Sequence, residues 1–352
     1  MTVMMRTEIV FLLSTLCALS TSREPDPLGW LYRRSPGHQY ESLQAETTGW
    51  TCPEECDCPP SFPVAMYCDG RGLTAMPNIP SRMKYLYLQN NAISAISDSA
   101  LSNATNLVWL MLHHNQLTSD AIGEKAFLGL NGLQRLYLQH NSLTRIPTSL
   151  PRSLRDLRIN HNKIEKVTPD DLEGMDDLTM LYLHDNAVSD LGRSLAPLKS
   201  LTMLDLSSNK LTKIPDGLPE HVNQLYVEYN SIESLPENFL SHFSQLQYVR
   251  MAHNQLMDLG VPTNTFNVTG LVELDLSFNK LERIPPVSTS LQHLYLQGNY
   301  IKEFTLGSFC STIDPTSFSK LRTLRLDGNE ITRKDIPPEA YQCLRLVPTI
   351  DI

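Results

Sequence analysis

Two clusters in this 352-residue chain carry residue types at spacings that could do chemistry. Four cysteines fall within 17 residues as Cys52-x₃-Cys56-x-Cys58-x₉-Cys68, a density that suits either a zinc site or two disulfides. Three histidines, His114, His140 and His161, each stand directly before an asparagine, with His113 and His184 beside the set. Imidazoles on neighbouring strands could approach within zinc-binding reach, or make local charge respond near pH 6.5. The expectation is solvated rim histidines and no metal; His114, His140 and His161 are the residues that would hold zinc if any did. Two N-x-S/T sequons, Asn103-Ala-Thr105 and Asn267-Val-Thr269, offer asparagines for glycosylation. No nucleophile elbow, H-E-x-x-H or P-loop occurs, and the acidic residues recur without a partnered base. The chain therefore reads as a binding protein that needs no cofactor, not as an enzyme.

The compartment decides between the two cysteine readings. Met1 to Arg6 is positively charged, Ile9 to Leu19 is mostly apolar, and small residues follow at Ser20 and Ser22. This pattern predicts a secretory signal peptide over 1–20, with cleavage after Ser20 or Ser22. The run is too short to span a bilayer, which takes about 20 apolar residues, and no second stretch suggests a membrane anchor. Removing it takes away Cys17 and leaves six of the seven cysteines, an even number in an oxidising compartment. Disulfides are then expected at both ends, Cys310 pairing with Cys343. The net charge of −9 argues against nucleic acid, whose phosphates call for clustered Lys and Arg.

The elements that must position these groups form a repeat array. Leu133-Gln-Arg-Leu136-Tyr-Leu138-Gln-His-Asn141-Ser-Leu143 has the pattern L-x-x-L-x-L-x-x-N-x-L. It recurs at Leu201 to Leu211 and at Leu271 to Leu281. The asparagine falls at 91, 115, 141, 162, 186, 209, 230, 254, 279, 299 and 329, giving eleven leucine-rich repeats over 82–332. Alternation of leucine with polar or aromatic residues predicts a short strand in each unit, leucines inward, and one unit alone cannot bury them. The asparagines are expected to satisfy backbone groups where the chain leaves the strand. After Asn141, Asn209 and Asn279 the returns are short and contain Ile-Pro; most of the longer ones carry an inward phenylalanine, Phe127, Phe239, Phe266 or Phe318. The expected fold is an α/β-type solenoid, curved, with a parallel sheet on its concave face. Its returns are short and extended or helical on the convex face. A cysteine-rich cap occupies 52–81, a short extension 23–51, and a long penultimate repeat with a disulfide-closed cap 300–352, overlapping the array. Length alone would have suggested two or three domains.

The cysteine spacing, the triplet alternation of returns and the long penultimate unit resemble class II small leucine-rich proteoglycans. Further matching segments are Ala65-Met-Tyr-Cys68-Asp, Pro80-Ser-Arg-Met-Lys-Tyr, Asn264-Thr-Phe-Asn267, Leu326-Asp-Gly-Asn-Glu-Ile331 and Cys343-Leu-Arg-Leu346. The resemblance covers about residues 52 to 352. It implies cap disulfides Cys52–Cys58 and Cys56–Cys68 and a secreted extracellular-matrix glycoprotein whose asparagines can carry keratan sulfate. It also implies fibrillar collagen as partner, control of fibril assembly, and growth factors of the transforming-growth-factor-beta family as further partners. The family's tail is acidic and rich in sulfatable tyrosines, whereas 23–51 holds only Tyr32 and Tyr40, leaving Tyr40 as the sulfation candidate.

Function is expected on the strand face, since the leucines are committed to the core. The position between the second and third leucine reads Tyr87, Met111, Tyr137, Arg158, Tyr182, Asp205, Tyr226, Arg250, Asp275, Tyr295 and Arg325, all expected at the surface. Tyrosine rings can lie on the prolines of an extended partner, and Arg and Asp can meet alternating charges. From this column Tyr137, Arg158, Tyr182, Tyr226, Arg250, Tyr295 and Arg325 are the collagen-binding candidates. Opposite charges on neighbouring strands, such as Arg250 and Asp275, could instead pair with each other. The resemblance adds Glu330; the basic residue it implies two places later is Thr332 here, with Arg333 adjacent as a further candidate, so the basic partner stays open. The competing function is a secreted leucine-rich decoy, or a growth-factor or innate-immune ligand-binding protein.

Overall fold

Each repeat contributes three residues of strand, and the sheet grows by one strand per turn of the chain. The computed structural model describes residues 51–310, 312 and 318–352. The expected signal peptide, the extension and Tyr40 lie outside the described residues. Among the described residues thirteen strands, β1 (Ala65–Tyr67) to β13 (Ile350–Asp351), form one parallel sheet in strict chain order. The strands β2 (Tyr85–Tyr87) to β12 (Thr323–Arg325) belong to the units that carry the eleven asparagines, with β1 and β13 closing the two ends. Registers are exact from strand to strand, so Leu86, Leu110, Leu136, Leu157 and Leu181 stack as one column. These leucines and the third ones (Leu88, Leu112, Leu138) are fully buried. This is the leucine-rich-repeat solenoid that the periodicity predicts.

The asparagines form the second column of the core. Asn254 is typical: its Oδ1 accepts from the Ile232 N–H of the preceding unit at 3.0 Å. Its amide donates to Val227 O at 2.9 Å and to Met251 O at 3.1 Å. One side chain thus ties two successive turns where no strand pairing reaches. The residue before each asparagine is left-handed throughout, from Asn90 (φ 58°) and His114 (φ 54°) through Phe278 (φ 53°) to Gly298 and Gly328.

The returns are extended chain and single 3-10 turns, such as Pro169–Asp171 and Asp258–Gly260, and the one α-helix among the described residues is α1 (Ala340–Cys343). Ile146, Ile214 and Ile284 of the Ile-Pro returns point inward and are buried, as are Phe127, Phe239 and Phe266. Phe318 departs from the expectation. It is half-buried beneath the Arg345 guanidinium at 3.5 Å, while Phe309, beside Cys310, fills the core of that unit.

Candidate binding face and histidine rim

Both caps are covalently closed. Cys52 is bonded to Cys58, Cys56 to Cys68, and Cys310 to Cys343. The first two bridges consume all four sulfurs of the N-terminal cluster, so no thiolate is left there for a metal.

Because a three-residue strand exposes alternate positions, its outer face carries the first and third residues, plus the residue two places on. The collagen-binding candidates on the strands all come from the third position; the other two positions decide its environment. Tyr87 and Met111, expected at the surface, are only 6% and 9% exposed. The first-position aromatics Tyr85 and Trp109 pack around them, and Tyr67 stacks on Tyr87 with ring centroids 4.6 Å apart. Phe62 lies on Tyr85, and the Arg135 guanidinium covers Trp109 at 4.4 Å. The N-terminal end of the face is therefore an aromatic floor. Beside it, in the column two places after each strand, Gln89 Oε1, His113 Nδ1 and Gln139 Oε1 are buried with no hydrogen-bond partner among the described residues. Burial, and then the neighbouring charges of His114, His140 and Arg158, lower the His113 pKa to about 4.

The centre of the face is a cation–π ladder. The Arg158 guanidinium lies between the rings of Tyr137 and Tyr182, at 4.5 and 4.7 Å. Its Nε reaches Asp156 Oδ1 at 3.3 Å, and the Tyr137 hydroxyl donates to Asp156 Oδ2 at 2.8 Å. Burial raises the Tyr137 phenol, and the Asp156 charge adds to it. Burial would lower Arg158, but the Asp156 charge outweighs it and holds the guanidinium above its ordinary value. Arg250 sits 5.0 Å over Tyr226 and is paired with Glu273 at 2.8 Å. Its register neighbour Asp275 was the expected partner, but that carboxylate instead accepts from the Ser277 N–H and hydroxyl. Arg325 pairs with Asp327 at 2.8 Å. All three arginines of the column therefore have an acidic partner within the sheet face, and the half-buried tyrosines Tyr182, Tyr226 and Tyr295 stand between them.

The three rim histidines do come together, but as a stack of rings. His114 lies on His140 and His140 on His161, each pair 4.1 Å apart and tilted by only 10° and 12°. Ring lone pairs point in the ring plane, so nearly parallel rings cannot aim three nitrogens at one ion. The stack ends at His184, which meets His161 edge-on at 5.2 Å and 85°. Burial, followed by the charges of His161, His114 and His184, lowers His140 to about 4. His184 Nδ1 lies 2.9 Å from Asp205 Oδ2. Burial pushes Asp205 up, but the His184 contact and the Ser207 donors outweigh it and leave the carboxyl below its ordinary range. A second stack, Tyr229–His253–Phe278, occupies the same rim at 4.2 and 4.3 Å spacing; the regular recurrence of this column was the signal for it.

The comparisons with known proteins agree with this geometry. The family described as Leucine rich repeat matches residues 81–143 and 152–211, the Leucine rich repeat N-terminal domain matches 51–81, and Leucine Rich Repeat matches 290–318. Fibromodulin of Bos taurus is 53% identical over 301 residues, covering 86% of this chain and 80% of the relative. Lumican of Gallus gallus is 46% identical over 303 residues, covering 86% and 88%. The chain belongs to the fibromodulin-like small leucine-rich proteoglycans. In three dimensions it is similar to a chain of the octameric complex of Latrophilin 3, Unc5D and FLRT2 (LRR), with a TM-score of 0.66, 25% identity, and coverage of 84% and 82%.

Within this fibromodulin-like frame the remaining sequence-selected residues lie off the strand face. Glu330 follows the last asparagine and is exposed, its N–H bonded to Ile301 O at 3.0 Å. Arg333 begins the 3-10 turn Arg333–Asp335 and is exposed as well. The sequon asparagines Asn103 and Asn267 are both exposed, and so are Thr105 and Thr269. Each lies in a turn that leads into the next strand.

Proposed function

We propose that this fibromodulin-like chain is a secreted extracellular-matrix protein that binds fibrillar collagen through its strand face and regulates fibril assembly. The observation that carries this reading is the Tyr–Arg ladder from Tyr137 to Arg325, held rigid by its own ion pairs. Strands about 4.8 Å apart spread it over roughly 40 Å, matched to an extended rod and not to a small molecule. Pre-set rings lose little freedom on binding and offer flat surfaces to a proline-rich triple helix. Glu330 and Arg333 extend the contact beyond the last strand, and exposed Asn103 and Asn267 carry N-linked glycans, keratan sulfate among them.

Co-sedimentation with reconstituting type I collagen tests the reading. The chain is expected in the fibril pellet and is expected to shift fibril diameter, with Tyr182→Ala and Tyr295→Ala each weakening capture. A well-folded chain that stays in the supernatant would favour the growth-factor or innate-immune ligand instead.

A further inference from the structure

The end of the histidine stack gathers the donors that the stack itself cannot supply. One ligand atom from each of His161, His184 and Asp185 lies within 4.8 Å of the other two. His161 Nε2 and Asp185 Oδ2 are 3.4 Å apart. Two donors bound to a tetrahedral zinc at about 2.0–2.1 Å stand about 3.4 Å apart, so this edge already has the required length. We infer that His161, His184 and Asp185 form a binding site for a divalent ion of the zinc class, where the histidine rim meets the strand face.

His184 is oriented as metal-binding histidines are. Asp205 Oδ2 lies 2.9 Å from its Nδ1, a carboxylate contact that favours the proton on Nδ1 and the lone pair on Nε2. That nitrogen is 2.9 Å from the Asn160 amide, and with Nδ1 protonated toward Asp205 it accepts from that amide. The edge-on meeting of His184 with His161 turns the two ring planes across each other, so their lone pairs can converge where those of the stack cannot. The chemistry selects the ion. Two imidazoles and one carboxylate suit zinc, whereas calcium seeks six to eight oxygens. His161 and Asp185 keep 39% and 41% of their side-chain surface exposed, which leaves an entry path and room for water as the fourth ligand.

The Asn160 amide competes with the ion for the same lone pair. Its removal should therefore strengthen binding, an effect that a merely structural cluster would not show.

The test uses the tag-free, secreted, disulfide-bonded full chain, titrated calorimetrically with zinc chloride at neutral pH. Cobalt(II) absorption serves as a second readout of four-coordination. His161 and Asp185 occupy left-handed positions (φ 51° each), so the variants are His161→Asn and Asp185→Asn, which tolerate that backbone, together with His184→Gln. One ion per chain is expected, with His161→Asn and His184→Gln each weakening it about tenfold or more, and Asp205→Asn about tenfold through His184. His114→Asn, at the far end of the stack, should leave the affinity unchanged, and Asn160→Ala should raise it. Melting curves confirm that each variant is folded. No saturable zinc heat, or an affinity that survives His161→Asn with His184→Gln, overturns the site.

Discussion

Replacing Asn254 by alanine isolates what one rung of the asparagine ladder contributes. Asn254 is 3% exposed and serves Ile232 N–H, Val227 O, Met251 O and Ala252 O, all backbone groups. Alanine leaves the Ile232 donor in a dry interior and removes a partner from each carbonyl. One stranded buried donor costs about 1–3 kcal/mol, and the weakened carbonyls and the small void add to it. The total is about 3–4 kcal/mol. At ~2–4 °C per kcal/mol for a large domain, the melting temperature should fall by roughly 10 °C. Asn254→Asp is the sharper probe. It keeps an acceptor for Ile232 but turns the donating amide into an oxygen that faces three carbonyls, and it buries a charge, so it should be at least as damaging. Asn106 donates to Ser81 O at an exposed site, and Asn106→Ala should cost under about 0.5 kcal/mol. Scanning calorimetry gives the shifts, and amide exchange should lose protection at Ile232 first. A folded Asn254→Ala chain melting within about 2 °C of the parent would refute the view that these amides hold successive turns together.

Two further outcomes follow from the face and the rim. His113, ordinarily near 6.5, is held near 4, so between those values the unfolded chain takes up a proton that the folded chain refuses. Stability is then complete above about pH 6.5 and declines as pH falls toward 4, by at most about 3 kcal/mol from this group. His113→Gln, a residue that already occupies this column at Gln89 and Gln139, should flatten the fall in the urea midpoint between pH 7.5 and 5; an unchanged slope would count against it. Arg158→Ala should destabilise by about 2–4 kcal/mol, because Asp156, 1% exposed, would keep only the Tyr137 hydroxyl. Adding Asp156→Asn should recover part of that loss in urea titrations, and a strictly additive pair would show that the ion pair carries no coupling.

The array was legible because its signal is repeated. Each leucine and asparagine is specified by the same local geometry eleven times over, so spacing alone located the strands, the core columns and the face. The environment of the face was not legible from one column. Tyr87 is buried because Tyr67, from a cap strand outside the repeat pattern, stacks on it. Arg250 takes Glu273 and not Asp275 because the pairing runs across columns, which a single-column reading does not contain. The histidines show the same limit. Their recurrence placed His114, His140 and His161 side by side, but ring orientation depends on backbone conformation, and that turned a candidate chelate into a stack.

The left-handed residue before each asparagine explains both stacks and the gap between them. A non-glycine residue there costs about 1–2 kcal/mol, which favours Asn, Asp and Gly and disfavours β-branched residues. Three histidines in a row, and then Tyr229, His253 and Phe278, accept that cost where each ring can lie on the next at one repeat spacing. Phe278 in turn lies over Gly298, where an added Cβ would meet its ring at 2.6 Å, so the second stack ends on a glycine. Between the stacks the column reads Asp185 and Ser208, neither of which has a ring. With nothing to lie flat against beyond His161, the next imidazole in reach is His184 from the strand-face column, and it arrives edge-on. The interruption of stacking is thus what brings a carboxylate and two crossed imidazoles to one point, and a ring placed at position 185 would close the stack and abolish the convergence together.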